Sequence, residues 1–243
     1  MLILELESIS KSFGGLSAVK NLSFTLNAGK ILALIGPNGS GKTTAFNLIS
    51  GFLKPDTGKI KFNGRNITGI RAYKVCHAGI TRTFQSIKPF THMTALENVM
   101  VGRLYGNEPS RSIKKARIES EEILALIGLD KKQVTRAGML GLVDRKRLEI
   151  ARALATRPHL LLLDEMMAGL NPRELEDAMR LIEGIRNSGV TLIVVEHVMK
   201  AVWGISDHVI VLNAGQKIAE GTPREIMNNS QVIEAYLGEN QGA

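Results

Sequence analysis

Ile31-Leu32-Ala33-Leu34-Ile35-Gly36-Pro37-Asn38-Gly39-Ser40-Gly41-Lys42-Thr43-Thr44 runs an apolar segment straight into a glycine-rich one. Residues 31–35 read as a buried strand, residues 36–43 fit the pattern G-x-x-x-x-G-K-T, and residues 44–50 read as the opening turns of a helix. Strand, loop and helix in that order are the setting in which the pattern carries meaning. Glycines free the backbone to curl, so that successive N–H groups turn inward onto a chain of phosphates. The helix N-terminus adds partial positive charge. Lys42 is suited to neutralising the β- and γ-phosphates, and the Thr43 hydroxyl to holding Mg2+. The stretch from Gly36 to Thr44 therefore predicts a site for a nucleoside triphosphate.

The rest of the composition is ordinary. A chain of 243 residues, 44% hydrophobic and 22% charged, is long enough to bury a substantial core. No apolar run reaches the length of a membrane span, and Met1-Leu2-Ile3-Leu4-Glu5 lacks a basic region and a cleavage site, so the chain is expected to stay in the cytoplasm. The single cysteine, Cys76, excludes an internal disulfide and reads as a small core residue. The net charge of +8 is spread along the chain, with bunches at Lys114-Lys115, Lys131-Lys132 and Arg145-Lys146-Arg147. With aromatics at only 5%, a surface for stacking bases is not evident. The charge is read as a solvated or membrane-adjacent face, and no nucleic acid partner is expected.

Leu2, Leu4 and Leu6 alternate as in a half-buried strand, Leu22, Phe24 and Leu26 repeat the pattern, and Gly14-Gly15 marks a turn between them. A strand at 59–62 ends in Asn63-Gly64, a hairpin signal, and another is expected at 79–84. From residue 89 to about 144 helical patterns dominate, at 95–103 and 113–127, with Gly128 at a helix C′ position. This reads as an inserted helical lobe. Alternation then resumes with a helix at 145–156, a strand at 160–164, a helix from Pro172, and strands at 191–196 and 208–212. The tail past Gly238 is expected to fray.

Leu160-Leu161-Leu162-Leu163-Asp164-Glu165 is the second strong signal. Two carboxylates leave the C-terminal end of an apolar strand, where open α/β sheets place their ligands. Asp164 suits a water-mediated hold on Mg2+. Glu165, one residue further, suits the polarisation of a water for in-line attack on the γ-phosphate. His197 follows a strand and is a candidate for steadying that water or reaching the γ-phosphate. Gln85 ends Thr83-Phe84-Gln85; its amide is suited to contact both Mg2+ and the water, and to report occupancy to the helical lobe. Phe13, beside Gly14-Gly15, reads either as a stacking platform for a purine or as a core residue of the first sheet.

The order of Phe13, the loop 36–43, Gln85, the helical insert, Leu148-Glu149-Ile150-Ala151-Arg152-Ala153-Leu154, Asp164-Glu165, Ala168-Gly169-Leu170-Asn171 and His197 resembles the ATPase subunit of an ABC transporter over essentially the whole chain. It is most similar to the branched-chain (hydrophobic) amino-acid importers, through Thr83-Phe84-Gln85, Ala168-Gly169-Leu170-Asn171-Pro172 and the ending Glu234-Ala235-Tyr236-Leu237-Gly238-Glu239. The resemblance implies an α/β fold: a P-loop NTPase (RecA-like) core with an N-terminal antiparallel β subdomain, approximately 1–88 and 145–243, and an inserted helical subdomain, approximately 89–144. It implies ATP and Mg2+, with Phe13 on adenine, Asn38 to Thr44 around the phosphates, and Thr43, Gln85 and Asp164 toward the metal. Glu165 is then the catalytic base, His197 the switch histidine, and Lys42 and Gln85 its companions in catalysis.

The implied partners are integral-membrane permease subunits, a second ATPase subunit in either a heterodimer or a homodimer, and indirectly a solute-binding protein. The chain would sit peripherally on the cytoplasmic face of the cell (inner) membrane. The permease groove would lie around 87–94, with Phe90 and Met93 either touching the permease or packing within the lobe. One departure matters. The family's L-S-x-G-Q aligns with Leu140-Gly141-Leu142-Val143-Asp144, so the serine hydroxyl is missing and a branched side chain stands where a phosphate approaches. Asp144 reads as an N-cap of the following helix, and its charge opposes an incoming phosphate. A milder departure is Met166, where the family has proline. Efficient turnover is therefore expected only beside a different subunit with an intact signature. The alternatives are the ATPase of a lipid or lipopolysaccharide exporter, and a soluble non-transport ABC ATPase.

Overall fold

The alternating leucines become two long strands, β1 (Leu2–Phe13) and β2 (Leu16–Asn27), paired antiparallel across Gly14-Gly15. In this computed structural model, which describes residues 1–85 and 88–237, β3 (Ile31–Ile35) and α1 (Lys42–Ile49) flank the glycine loop. Ile87 of the expected groove, Gly238-Glu239 of the expected ending and the expected frayed tail lie outside the described residues. β4 (Thr57–Phe62) and β5 (Arg65–Asn66) close a hairpin on Asn63-Gly64, both at positive φ (48° and 74°), as a type I′ turn requires. There follow α2 (Ala72–Ala78), β6 (Ile80–Arg82), α3 (Ala95–Tyr105), α4 (Ile113–Leu126), α5 (Leu142–Ala155) and β7 (Leu160–Asp164). The chain continues with α6 (Pro172–Asn187), β8 (Thr191–Val195), α7 (Met199–Ile205), β9 (His208–Asn213), β10 (Gln216–Gly221), α8 (Pro223–Met227) and α9 (Ser230–Leu237).

The chain divides into two compact units, Met1–Ala72 with Met167–Ala243, and Tyr73–Met166. In the first, β2-β1-β4-β5 form an antiparallel sheet, and a second sheet runs β10-β9-β3-β8. β3 lies parallel to both β8 and β9, and all its residues are buried, as expected of a strand covered on both faces. α6 starts on a capping box in which Asn171 and Glu174 satisfy each other's backbone N–H, with Pro172 in the first turn, and buries Leu175, Ile182 and Ile185.

In the second unit β6 and β7 pair in parallel, and α3 packs against α4 and α5. Thr94 and Glu97 make the capping box of α3. α3 meets α5 at glycines: a Cβ on Gly102 would lie 2.6 Å from the Arg152 carbonyl oxygen, and one on Gly106 would lie 2.4 Å from Thr156 Cα. The sequence expectation of a helix starting at Arg145 is corrected. α5 begins at Leu142, because Gly141 in extended conformation already closes the first turn, its carbonyl accepting the Arg145 N–H at 2.9 Å. Asp144 is thus inside the first turn and not the N-cap; its carboxylate pairs with Lys132 Nζ at 2.5 Å. β6 is also shorter than the expected 79–84, ending at Arg82.

Asp207 ties the entrance of β3 in place. Its Oδ2 accepts the Ile31 N–H at 2.8 Å, and Oδ1 pairs with Lys30 Nζ at 2.9 Å. Burial raises its pKa, but the Ile31 N–H, Lys30 and Arg186 together outweigh burial and leave it below the usual carboxylate range. A carboxyl depressed by folding contributes stability above its unfolded pKa and loses that contribution as pH falls through the folded value. Asp207→Asn is expected to lower stability at pH 7 by about 1 kcal/mol. It should also flatten the fall in urea midpoint as the pH drops below about 4. Urea titrations of both proteins across that range check this.

Candidate functional site

The phosphate loop is shaped by three left-handed or Gly-only conformations: φ is 146° at Gly36, 73° at Gly39 and 103° at Gly41. Gly36 has no room for a side chain, since a Cβ there would lie 2.0 Å from the Leu212 carbonyl oxygen of β9. The Gly215 N–H donates to Ser40 O at 3.1 Å and holds the far side of the loop. Gly41 is the N-cap of α1 and supplies no side-chain cap to the N–H groups of the helix end. Lys42 is buried, and its ammonium donates to Gly36 O at 2.7 Å, Pro37 O at 2.8 Å and Ser40 Oγ at 3.4 Å. The loop's own oxygens thus surround the cation that phosphate oxygens are expected to engage. Thr43, the next residue, is exposed.

His197 leaves β8 as Gly36 leaves β3. The two strands are parallel neighbours with Leu34 opposite Val195, so both residues emerge at one sheet edge, and His197 is exposed there. Just before it, buried Glu196 accepts the Met167 N–H at 2.7 Å and fixes the start of the segment leading to α6. Phe13 ends β1 with 48% of its surface exposed and Lys11 Nζ 5.7 Å from its ring centroid; the alternative that it is a core residue is set aside.

The second unit holds Gln85, Asp164 and Glu165. β7 delivers Asp164 fully buried at its C-terminal end, and Glu165 follows at φ 51°, a left-handed conformation uncommon for a side chain of this kind. Gln85 and Glu165 meet: the amide Nε2 donates to Oε2 at 2.7 Å. Asp164 does not stand as an isolated acid. Arg82 Nη2 lies 2.8 Å from its Oδ2, and the two side chains are only 6% and 4% exposed. Burial pulls the Arg82 guanidinium below the usual arginine range, while the Asp164 charge and hydrogen bond work against that. Losing one member of such a pair typically costs about 3–5 kcal/mol, because the other charge stays buried.

Glu149 and Arg152 of α5 grip the segment around Gln85 from both sides. Glu149 Oε1 accepts the Phe84 N–H at 3.3 Å, and Arg152 donates to Lys88 O at 3.1 Å while its guanidinium lies 4.8 Å from the Phe90 ring centroid. Burial raises the pKa of Glu149, opposed by Arg152 and by the Phe84 N–H. The partial exposure of Phe90 coexists with this stacking on Arg152. Sequence reasoning passed over Arg82, Glu149 and Glu196. Arg82 alone carried a signal, a cation at the end of a strand that is otherwise apolar or hydroxylic (Ile80-Thr81-Arg82). The degenerate segment is ordered as Leu140 buried, Gly141 exposed and Leu142 63% exposed.

The sequence profile of the family described as "ABC transporter" matches residues 19–168, and that of "Branched-chain amino acid ATP-binding cassette transporter" matches residues 216–241. The high-affinity branched-chain amino acid transport ATP-binding protein BraF of Pseudomonas aeruginosa is 40% identical, covering 98% of each chain. The corresponding LivG protein of Salmonella typhimurium is 41% identical, again over 98% of each. Among solved structures, the ADP conformation of MJ1267, an ATP-binding cassette of an ABC transporter, superposes with a TM-score of 0.90 at 34% identity, covering 98% of this chain and 99% of that one.

The geometry at Gly36 makes a direct prediction. Gly36→Ala must displace either the loop or the β9 carbonyl, and the expected loss is about 2–4 kcal/mol of stability. Gly39→Ala, where a Cβ meets nothing within 4 Å, costs only the strain of its φ. Thermal unfolding of the two variants side by side tests the difference.

Proposed function

We propose that this chain, which belongs to the ABC transporter family of ATP-binding cassettes, binds and hydrolyses ATP to power the import of branched-chain or other hydrophobic amino acids. The observation that carries this reading is an intact phosphate loop and strand-end acid pair in a chain that matches branched-chain importer ATPases over 98% of its length. In the reading, the N–H groups of the loop and of the α1 N-terminus hold the phosphates, and Lys42 exchanges its carbonyl partners for phosphate oxygens. Phe13 offers its exposed ring to the adenine.

Glu165 is the base that readies the attacking water. Gln85 holds its carboxylate, so the bond at 2.7 Å has to open or turn before Glu165 accepts a proton from water. His197 steadies the water or the γ-phosphate from the exposed end of β8. The donor set suits Mg2+: the exposed Thr43 hydroxyl, the Asp164 carboxylate and the Gln85 amide oxygen are hard oxygen ligands. When bound, that ion would neutralise charge on the phosphates.

Permease subunits are the partners that coupling requires. No helix among the described residues is long and apolar enough to cross a membrane, and we place the chain peripherally at the cytoplasmic face, with a solute-binding protein engaged only through the permease. We place the permease groove around 87–94, between Gln85 and the helical lobe 89–144, and assign the remainder, 1–88 and 145–243, to the ATPase core. The second ATPase subunit is proposed to be a different chain. At the segment Leu140–Asp144, Gly141 lacks a hydroxyl and Val143 branches where a γ-phosphate would approach, so a self-paired dimer has two poor signature faces. A partner with L-S-x-G-Q supplies one good face to the ATP held here.

Two measurements test these roles. Lys42→Ala is expected to weaken ATP binding by on the order of 100-fold. Glu165→Gln should keep ATP bound while turnover falls about 10²- to 10⁴-fold. Normal turnover in either variant removes the catalytic assignment. For the asymmetry, steady-state ATPase of the purified chain is expected to lie at least about tenfold below that of the complex with its partner subunit. Equal rates would end the heterodimer proposal.

A further inference from the structure

The segment Arg82–Gln85 runs beside Leu162–Glu165 residue by residue. The Thr83 N–H donates to Leu162 O at 2.9 Å, the Asp164 N–H donates to Thr83 Oγ1 at 3.1 Å, and Gln85 bonds Glu165. In that register Arg82 reaches Asp164 from the neighbouring strand. Its guanidinium is fixed three ways: Nη2 on Asp164 Oδ2 at 2.8 Å, Nε donating to Thr83 O at 3.1 Å, and the plane 4.7 Å from the Phe84 ring centroid. A guanidinium locked by a stack and a carbonyl is a rigid donor, and a carboxylate bonded to it has its rotation set. Burying this pair is weak evidence for stability, since apolar side chains of similar volume fill such sites as well or better.

We propose that Arg82 is a positioning residue for Asp164: by engaging Oδ2 it turns the carboxyl group into the orientation in which it serves the metal bound with the nucleotide. The inference rests on the reading of Asp164 as the metal-side carboxylate. Charge alone does not do this work. Lysine would keep the positive charge but lose the planar fork and the stack on Phe84.

The test uses the full chain, saturating ADP and Mn2+ as the probe, with bound Mn2+ read by electron paramagnetic resonance. Arg82→Lys is compared with the parent in two backgrounds, one native and one carrying Asp164→Asn, and thermal unfolding is recorded for all four proteins. In the native background Arg82→Lys is expected to weaken Mn2+ retention about tenfold, with ADP affinity in the absence of divalent ion unchanged. With Asp164→Asn present, the same substitution should produce no further loss. An unchanged or tighter Mn2+ affinity in Arg82→Lys, or an equal loss in both backgrounds, overturns the inference, whatever happens to the unfolding temperature. If Asp164→Asn itself leaves Mn2+ retention intact, the underlying reading of Asp164 fails and takes the inference with it. Should the lysine variant not fold, Arg82→Gln, which keeps a planar donor, is carried through the same comparison.

Discussion

The phosphate loop keeps its shape because the strand beneath it has nowhere to go. β3 is bonded along both edges, parallel to β8 and β9, and each of its five residues is buried. At its entrance Asp207 fixes the Ile31 N–H; at its exit Gly36 passes so close to Leu212 that only a missing side chain fits. Every atom the loop aims outward inherits its position from these restraints. Preorganisation of this kind is what a phosphate site needs, since N–H groups that must be gathered at the moment of binding give up much of their affinity. The caged ammonium of Lys42 follows from the same rigidity: three oxygens of the loop already converge where a cation belongs.

A different constraint governs the acids. Two carboxylates at consecutive positions repel each other, and the buried one, Asp164, also loses hydration, so each gains from a partner. Asp164 has Arg82, the last residue of β6, and Glu165 has Gln85 from the segment just after it. The two pairings differ in kind. The Arg82 pair is buried and charge-assisted; the Gln85 pair is exposed and between a neutral amide and an acid, and is the easier of the two to exchange. In the proposed mechanism this is a division of labour, in which one acid is held still and the other is held until needed. Glu149 and Arg152 of α5 extend this arrangement, because they grip the backbone on either side of the exchangeable glutamine.

What was legible in the sequence was local. The phosphate loop, the leucine strand ending in Asp164, the Asn63-Gly64 hairpin and the Pro172 helix start each have their signal within a few adjacent residues, and all four are present. The α8 start, Thr222-Pro223 with Glu225 completing a capping box, was just as local and went unread. Glu149 and Glu196 gave no local signal and Arg82 only that of a cation at a strand end, because their meaning lies in partners that sequence separation hides. Arg82 and Asp164 are 82 positions apart, and Phe84 and Glu149 are 65 apart. The start of α5 was misplaced for a related reason. Asp144 looks like a cap by residue type, but its carboxylate is drawn to Lys132.

That pairing changes the physics of the altered signature. Read from sequence, Asp144 sets a full negative charge against an approaching phosphate at the N-terminus of α5. In the fold the charge is balanced by Lys132, the helix end carries no side-chain cap, and the positive end of its dipole is still available. Electrostatic opposition is therefore much reduced, the more so because Asp144 is partly buried. What remains is the missing hydroxyl at Gly141 and the bulk of Val143, a deficit of hydrogen bonding and of space. Salt discriminates between the two deficits. A residual repulsion from Asp144 would relax as ionic strength screens it, whereas a lost hydroxyl and a crowded approach do not depend on salt. In the proposed heterodimer the defect in self-pairing is thus steric and donor-limited, and a partner chain would relieve it by contributing its own signature residues.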